Sequence, residues 1–467
     1  MTAQTRSLSI DWTSDNPHLS GNFAPIGAEI DAPELTVISG RIPEDLSGVY
    51  MRNGPNPRFR PASYIYPLEG DGMVHAVFFD AGRARYRNRF VRTRSFMVED
   101  QAGHAVYGGI MDPTPLDPAA LGSVSDPFKQ SAFIGVIQHG ERLLALGEAE
   151  PAWELSMALE TLGPWTAGTG QPLDIGAHTR VHPVTGDLFG LTYDALHPAV
   201  HIHRIGPRGR LLQSFEIALA APSMIHDFIL TELHIVLLIG PAVFDMEAAR
   251  RGESFIQWRP EIGTRIAVMD LDGGATRWIE AEAFFVFHFA NGFERGSEIV
   301  IDYVRHERLS LGHGGAHLPP TLHRLTIDLL SMRMTDTVLF GSAVEFPRID
   351  DRRIARSNRF IYLPTLTPSL GQTTVASATF NCLLCVDTET GKTRQHDFGH
   401  QIAGEAVFIP RGAHEQDGCV ASFLYDPVNG TSDFVLLDAA RIDAEPVAVI
   451  RMPQRVPQGL HGAWISP

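Results

Sequence analysis

The chain has 467 residues, 44% hydrophobic and 20% charged, with a formal net charge of −16 from 38 basic and 54 acidic side chains. This is the composition of a globular protein with a large core and no low-complexity tract. The acidic balance disfavours nucleic acid, and no such partner is expected, since phosphate binding needs a concentrated basic surface and the short basic clusters at 250–251 and 348–356 read as solvated faces.

No apolar run approaches the length that spans a bilayer; the longest, at 235–244, is broken by Gly240-Pro241. The polar N-terminus lacks the basic and apolar regions of a secretory signal. Cytoplasmic residence is expected, with peripheral contact at a membrane left open. Three cysteines, Cys382, Cys385 and Cys419, are too few for a disulfide framework.

Along the chain the recurring unit is a short alternating run, a turn rich in Gly and Asp, and a second alternating run. Residues 76–79 turn at Asp80-Ala81-Gly82 into 84–90. Further turns fall at Pro183-Val184-Thr185-Gly186, Gly206-Pro207-Arg208-Gly209 and Asp272-Gly273-Gly274, and residues 383–386 turn at 387–391 into 393–398. These are hairpin signatures, because Gly and Asp accept the backbone conformations that tight turns demand. Helical periodicity is scarce; 151–162 and 246–251 are the best candidates. Cys382 and Cys385 form a C-x-x-C, but the segment 381–386 reads as a buried strand in which the thiols are structural.

Hairpins recur without an evident linker, so residues 1–467 read as a single all-β domain. A radially repeated sheet holds that many strands without open edges, which favours a β-propeller over several sandwiches; periodicity alone does not give the blade number.

Any one of the 20 histidines, taken alone, is more often a core or surface residue than a ligand. Four stand out by context: His178 in Ala177-His178-Thr179-Arg180, His226 in Met224-Ile225-His226-Asp227-Phe228, His288 in Val286-Phe287-His288-Phe289, and His461 in Gly459-Leu460-His461-Gly462-Ala463-Trp464. They are too far apart in sequence for a local metal loop. The innermost strands of a propeller all face one axis, however, where distant imidazoles can meet. An all-imidazole set suits iron, copper, nickel or zinc.

Motifs in matching order along nearly the whole chain make it resemble the carotenoid cleavage oxygenases. They begin with Asn22-Phe23-Ala24-Pro25, Tyr50-Met51-Arg52-Asn53-Gly54-Pro55-Asn56-Pro57 and Gly70-Asp71-Gly72-Met73-Val74-His75. They continue through Leu159-Glu160-Thr161-Leu162-Gly163 and Phe287-His288-Phe289-Ala290-Asn291-Gly292 to Arg455-Val456-Pro457 and His461-Gly462-Ala463-Trp464. The resemblance implies a seven-bladed propeller with a helical and loop cap over an axial Fe2+. It puts the metal ligands at His178, His226, His288 and His461, with His182 as the rival to His178. Four neutral imidazoles leave a dication uncompensated, and each ring needs an acceptor for its remaining N–H. The resemblance supplies those acceptors at Glu148, Glu345 and Glu405.

The implied reaction splits an alkene with O2 into two carbonyl fragments, with no catalytic side chain beyond the metal centre. Stilbene-cleaving members hold a phenol with Tyr and Lys, where this chain has Ile110 and Gly147, so an apolar polyene of the apocarotenoid kind is the expected substrate. Cleavage of a stilbene or other aryl alkene is the alternative, and binding or isomerisation of a lipophilic ligand without cleavage is a third. Phe133, Ile134 and Phe287 are expected walls of the substrate tunnel. The Asn-Thr-Asn run common in the family reads Phe133-Ile134-Gly135 here, a change expected to narrow or dry the oxygen site.

Overall fold

The computed structural model describes residues 4–8, 10, 12–61, 64, 69–109, 117–121, 128–251, 253–309, 311, 318–370 and 379–467. Antiparallel sheets form a seven-bladed β-propeller, as the family resemblance implied. Each expected hairpin is present: Met73–Asp80 pairs with Arg83–Phe90, Thr179–Val181 with Leu188–Tyr193, Ala199–Ile205 with Leu211–Ala218, Thr264–Asp270 with Arg277–Ala281, and Cys382–Asp387 with Thr393–Asp397.

The ring is closed twice. The last strand, Gly462–Ile465, lies against Gly48–Arg52, and Ala448–Arg451 lies against Thr36–Gly40, so both ends of the chain are stitched into shared sheets. Closure of this kind removes the open edges that a long antiparallel sheet would otherwise expose.

Burial follows position in the blade. Strands in the middle of a blade are covered on both faces by neighbouring blades, and Met73–Asp80 and His234–Ile239 are apolar and buried along almost their whole length. Outer strands such as Leu211–Ala218 alternate between half-buried and exposed. The core therefore lies between blades. One cluster joins Val49, Val74 and Ala76 of the first blade to Val136, Leu143 and Trp153 of the second.

One of the two helix readings changes. Residues 151–162 are not a helix: Trp153–Leu155 pairs with Arg142–Leu146 on one side and Thr161–Pro164 on the other, and Leu159 turns the chain with φ +63°. Cross-strand pairing overrides the local period. The second candidate forms a helix at Met246–Arg250, capped by the Asp245 carboxylate on the N–H groups of Glu247 and Ala248. A helix that the sequence pattern did not reveal, Arg94–Ala102, starts at the Thr93 cap and stops at Gly103 with φ +76°. Its buried contact is small, chiefly Phe96 on Phe90, which explains the weak periodic signal.

All three cysteines are free and buried. Burial pushes the thiols of Cys382 and Cys385 up to about 12, which keeps them protonated and inert. Among the described residues no helix is long and apolar enough to cross a membrane.

Candidate metal centre

Each of the four singled-out histidines stands at the mouth of a blade's innermost strand. His178, His288 and His461 immediately precede Thr179–Val181, Phe289–Arg295 and Gly462–Ile465, and His226 lies three residues before Ile229–Leu230. Four equivalent positions in four blades therefore deliver four imidazoles to one place. In the second blade the corresponding residue, just before Gly135–His139, is Ile134.

The donor nitrogens of the four rings all lie within 4.8 Å of one another. Two ligands on opposite sides of one first-row metal ion stand about 4 Å apart, so the set needs only a small contraction to share an ion. His182 takes no part. Its Nε2–H donates to the Glu232 carbonyl at 3.0 Å, and its Nδ1 accepts from the Val184 and Thr185 N–H groups, which spends both ring nitrogens on a turn.

Carboxylates fix three of the four rings. Nδ1–H of His226 donates to Glu148 at 2.6 Å, that of His288 to Glu345 at 2.5 Å, and that of His461 to Glu405 at 2.9 Å. An ionised carboxylate only accepts, so each of these rings carries its proton on Nδ1 and turns a bare Nε2 inward. His288 Nε2 is buried without a hydrogen-bond partner, and the Nε2 atoms of His178 and His226 stand 3.0 Å apart. Buried lone pairs gathered in this way fit a cation, and imidazole donors fit Fe2+ among the divalent metals.

The carboxylates are themselves held. Glu345 also accepts from His306 Nε2–H at 2.7 Å and from the Phe346 N–H at 2.5 Å. Burial opposes its ionisation, but the His288 and His306 rings outweigh burial and keep the carboxyl well below the usual carboxylate range. Glu405 accepts from the Gly462 N–H at 2.7 Å and pairs with Arg348 at 3.4 Å. Against the cost of burial, Arg348 and His461 hold it at about 2. Phe346 and Ala149, the residues that follow Glu345 and Glu148, adopt φ of +48° and +50°. Such backbone costs on the order of 1–3 kcal/mol per residue and persists where the surroundings enforce it.

His178 has a looser partner that the sequence reading did not assign. Its Nδ1 lies 3.7 Å from Asp227, whose carboxylate is gripped by Arg180 at 2.8 and 2.9 Å and by the N–H groups of Phe228 and Phe289. Burial, followed by the three neighbouring imidazoles, lowers the His178 pKa well below normal and keeps the ring neutral. Asp227 was visible in the sequence beside His226, but adjacency along a chain does not reveal which ring a side chain serves. Arg180 pairs with Asp227 and Arg348 with Glu405, whereas among the described residues Glu148 and Glu345 have no ion pair with Arg or Lys.

Above the rings lies a cavity of about 1060 Å³ whose wall includes His226, His288, His461, Phe133, Ile134 and Phe287. Phe287 meets the His226 ring edge-on at 5.5 Å. Ile134 is locked by its backbone, donating to the Leu146 carbonyl at 2.9 Å and accepting from the His461 N–H at 3.0 Å. Gly147 is close-packed: a Cβ there would sit 1.6 Å from Glu150 Oε1, and the Glu150 carboxylate accepts from the Ser131 and Ala132 N–H groups. Ile110 lies outside the described residues.

A propeller with an axial imidazole cage beneath a cavity defines a protein able to hold a metal ion at the wall of a binding site. The chain matches the family described as retinal pigment epithelial membrane protein (RPE65) over residues 23–466. It is 30% identical to the apocarotenoid-15,15'-oxygenase of Synechocystis sp., covering 91% of this chain and 92% of that protein. Among solved structures it resembles Pseudomonas brassicacearum lignostilbene dioxygenase, with a TM-score of 0.91 and 28% identity over 98% of this chain and all of that one. Cobalt-substituted Synechocystis ACO matches with a TM-score of 0.83 and 27% identity over 94% of this chain and 96% of that one. The chain belongs to the RPE65 family of carotenoid cleavage oxygenases, enzymes of the carbon–carbon double-bond-cleaving dioxygenase class.

Proposed function

We propose that the protein binds Fe2+ through His178, His226, His288 and His461 and cleaves an alkene bond of a long apolar polyene, of the apocarotenoid kind, with O2. The observation that carries this reading is the meeting of four imidazoles, three of them seated on carboxylates, at the wall of a large apolar cavity. Bound iron supplies the redox chemistry. The C=C bond and the O–O bond break, two C=O bonds form, and both oxygen atoms leave in the products, so no external reductant is needed.

The chain's own part is positional. Glu148, Glu345 and Glu405 hold three rings in the tautomer that binds metal, while Phe133, Ile134 and Phe287 keep water from the reacting bond. No acid, base or nucleophile is required at the alkene. Residues 1–467 act as one domain, which the double closure of the ring supports.

Preference for a polyene rests on positions 110 and 147, where Ile110 and Gly147 stand in place of the phenol-binding Tyr and Lys; Tyr107 and Lys129, both in the cavity wall, are the groups that would favour a stilbene instead. At position 147 Glu150 occupies the space in which a lysine side chain would begin. Burying a phenol hydroxyl without a partner costs about 1–3 kcal/mol, a discrimination of roughly fivefold to a hundredfold or more. Initial rates on an apocarotenal and a hydroxystilbene at matched low concentration, with O2 uptake and oxygen-isotope incorporation, test this directly. Faster cleavage of the stilbene favours the aryl-alkene reading, which draws on the TM-score of 0.91 with lignostilbene dioxygenase. An iron-loaded protein that takes up no O2 across the panel would instead be a binding or isomerising propeller.

Phe128, Leu196 and Leu318 line the cavity and are 45, 60 and 71% exposed. We read them as the rim through which a lipophilic substrate enters, in a cytoplasmic protein that touches membranes peripherally. Co-sedimentation with neutral lipid vesicles, lost on changing Leu196 and Leu318 to Ser, checks that contact.

A further inference from the structure

The four carboxylates around the imidazole cage are not held alike. Asp227 is gripped by Arg180 and two backbone N–H groups, Glu345 by His306 and the Phe346 N–H, and Glu405 by Arg348 and the Gly462 N–H. Each of these three has a backbone donor and a cation or second ring. Glu148 has neither. Among the described residues its two hydrogen-bond partners are His226 at 2.6 Å and the Tyr193 hydroxyl at 2.5 Å.

Tyr193 ends the strand Leu188–Tyr193, stacks on Phe244 with ring centroids 5.9 Å apart, and forms part of the cavity wall. Its phenol thus touches the space for substrate on one side and the carboxylate behind a candidate metal ligand on the other. We propose that Tyr193 is a positioning residue, which sets the orientation and donor strength of His226 through Glu148. Without the hydroxyl, one oxygen of a carboxylate 16% exposed faces an apolar cavity with no donor. That oxygen then competes for other partners, and the His226 ring loses its fixed seat. Because Tyr193 belongs to the cavity wall, a bound substrate can reach His226 through this support as well as directly. The inference rests on the four-histidine reading above.

The test uses the full-length apoprotein titrated anaerobically with Co2+ alone, followed by the ligand-field absorption of the bound ion. The wild-type chain should bind one Co2+, and Y193F should bind it about tenfold more weakly with a displaced band, as outer partners of metal ligands typically require. In an E148Q background the same change should add little, since the phenol acts through the carboxylate. Wild-type affinity and an unmoved band in Y193F overturn the proposal, as does an equal loss from Y193F with and without E148Q. A wild-type chain that binds no Co2+ overturns the metal site itself, a separate failure. Should Y193F not fold, 3-fluorotyrosine at 193 keeps the ring and strengthens the donor, and an unmoved Co2+ band there also rejects the proposal.

Discussion

The axis of the propeller and the cavity wall above it are built on different rules. At the axis, one position recurs: the residue at the start of a blade's innermost strand, filled by His178, His288, His461 and, three residues out, His226. Above it, the wall combines Ile134, at that same position in the second blade, with segments of no common register, among them Tyr193 at the end of another strand and the exposed Leu196 and Leu318. The axis is a repeated answer to one geometric problem, whereas the rest of the wall is a set of separate local solutions. Changes at the axis should therefore act on the metal, and changes in the wall on substrate choice and local stability.

The sharpest way to break this contrast is H288A. Its ring packs against all three others, with centroids 5.1, 5.3 and 4.8 Å from those of His178, His226 and His461. The alanine variant should bind no stoichiometric iron and show no O2-dependent cleavage, while the strands keep their circular-dichroism signature. Stoichiometric iron by elemental analysis together with normal turnover would place the metal elsewhere.

A smaller loss is expected from E345Q. The amide keeps the shape but removes the anion that both His288 and His306 address. Loss of such a partner typically costs about 10–100-fold in metal affinity or activity. Iron affinity and rate both unchanged would make Glu345 a structural carboxylate only.

The same contrast explains what could be read in advance. Hairpins were legible because their turns need particular residues, as at Asp80-Ala81-Gly82 between paired strands. The histidines were legible because each sits in a short apolar motif that the family resemblance could anchor. Tyr193, His306 and Asp227 were not, since their partners lie 45, 39 and 49 residues away or in another blade and nothing local marks the meeting. The 151–162 segment failed for a related reason, its helical period being overridden by strands that pair across the chain.

The mildest prediction belongs to the wall and concerns Gly147. A methyl group there meets Glu150 Oε1, Cδ and Cγ at 1.6, 2.4 and 2.8 Å, so the carboxylate must move. Moving it releases the N–H groups of Ser131 and Ala132, and Ala132 already sits at φ +45° in the turn that leads into Phe133 and Ile134. Hydrogen bonds to a charged group contribute about 1.5–3 kcal/mol each, and partial rearrangement should recover some of that. G147A should therefore destabilise the protein by about 1–3 kcal/mol in denaturant unfolding, with the Co2+ affinity of the axial site unchanged. The pair should also couple. Once E150A has removed the obstacle, G147A should cost little more, a deviation from additivity of about 1 kcal/mol that residues in direct contact commonly show. Additive losses would mean that Glu150 swings aside freely, and that the wall at 147 has room for a lysine after all.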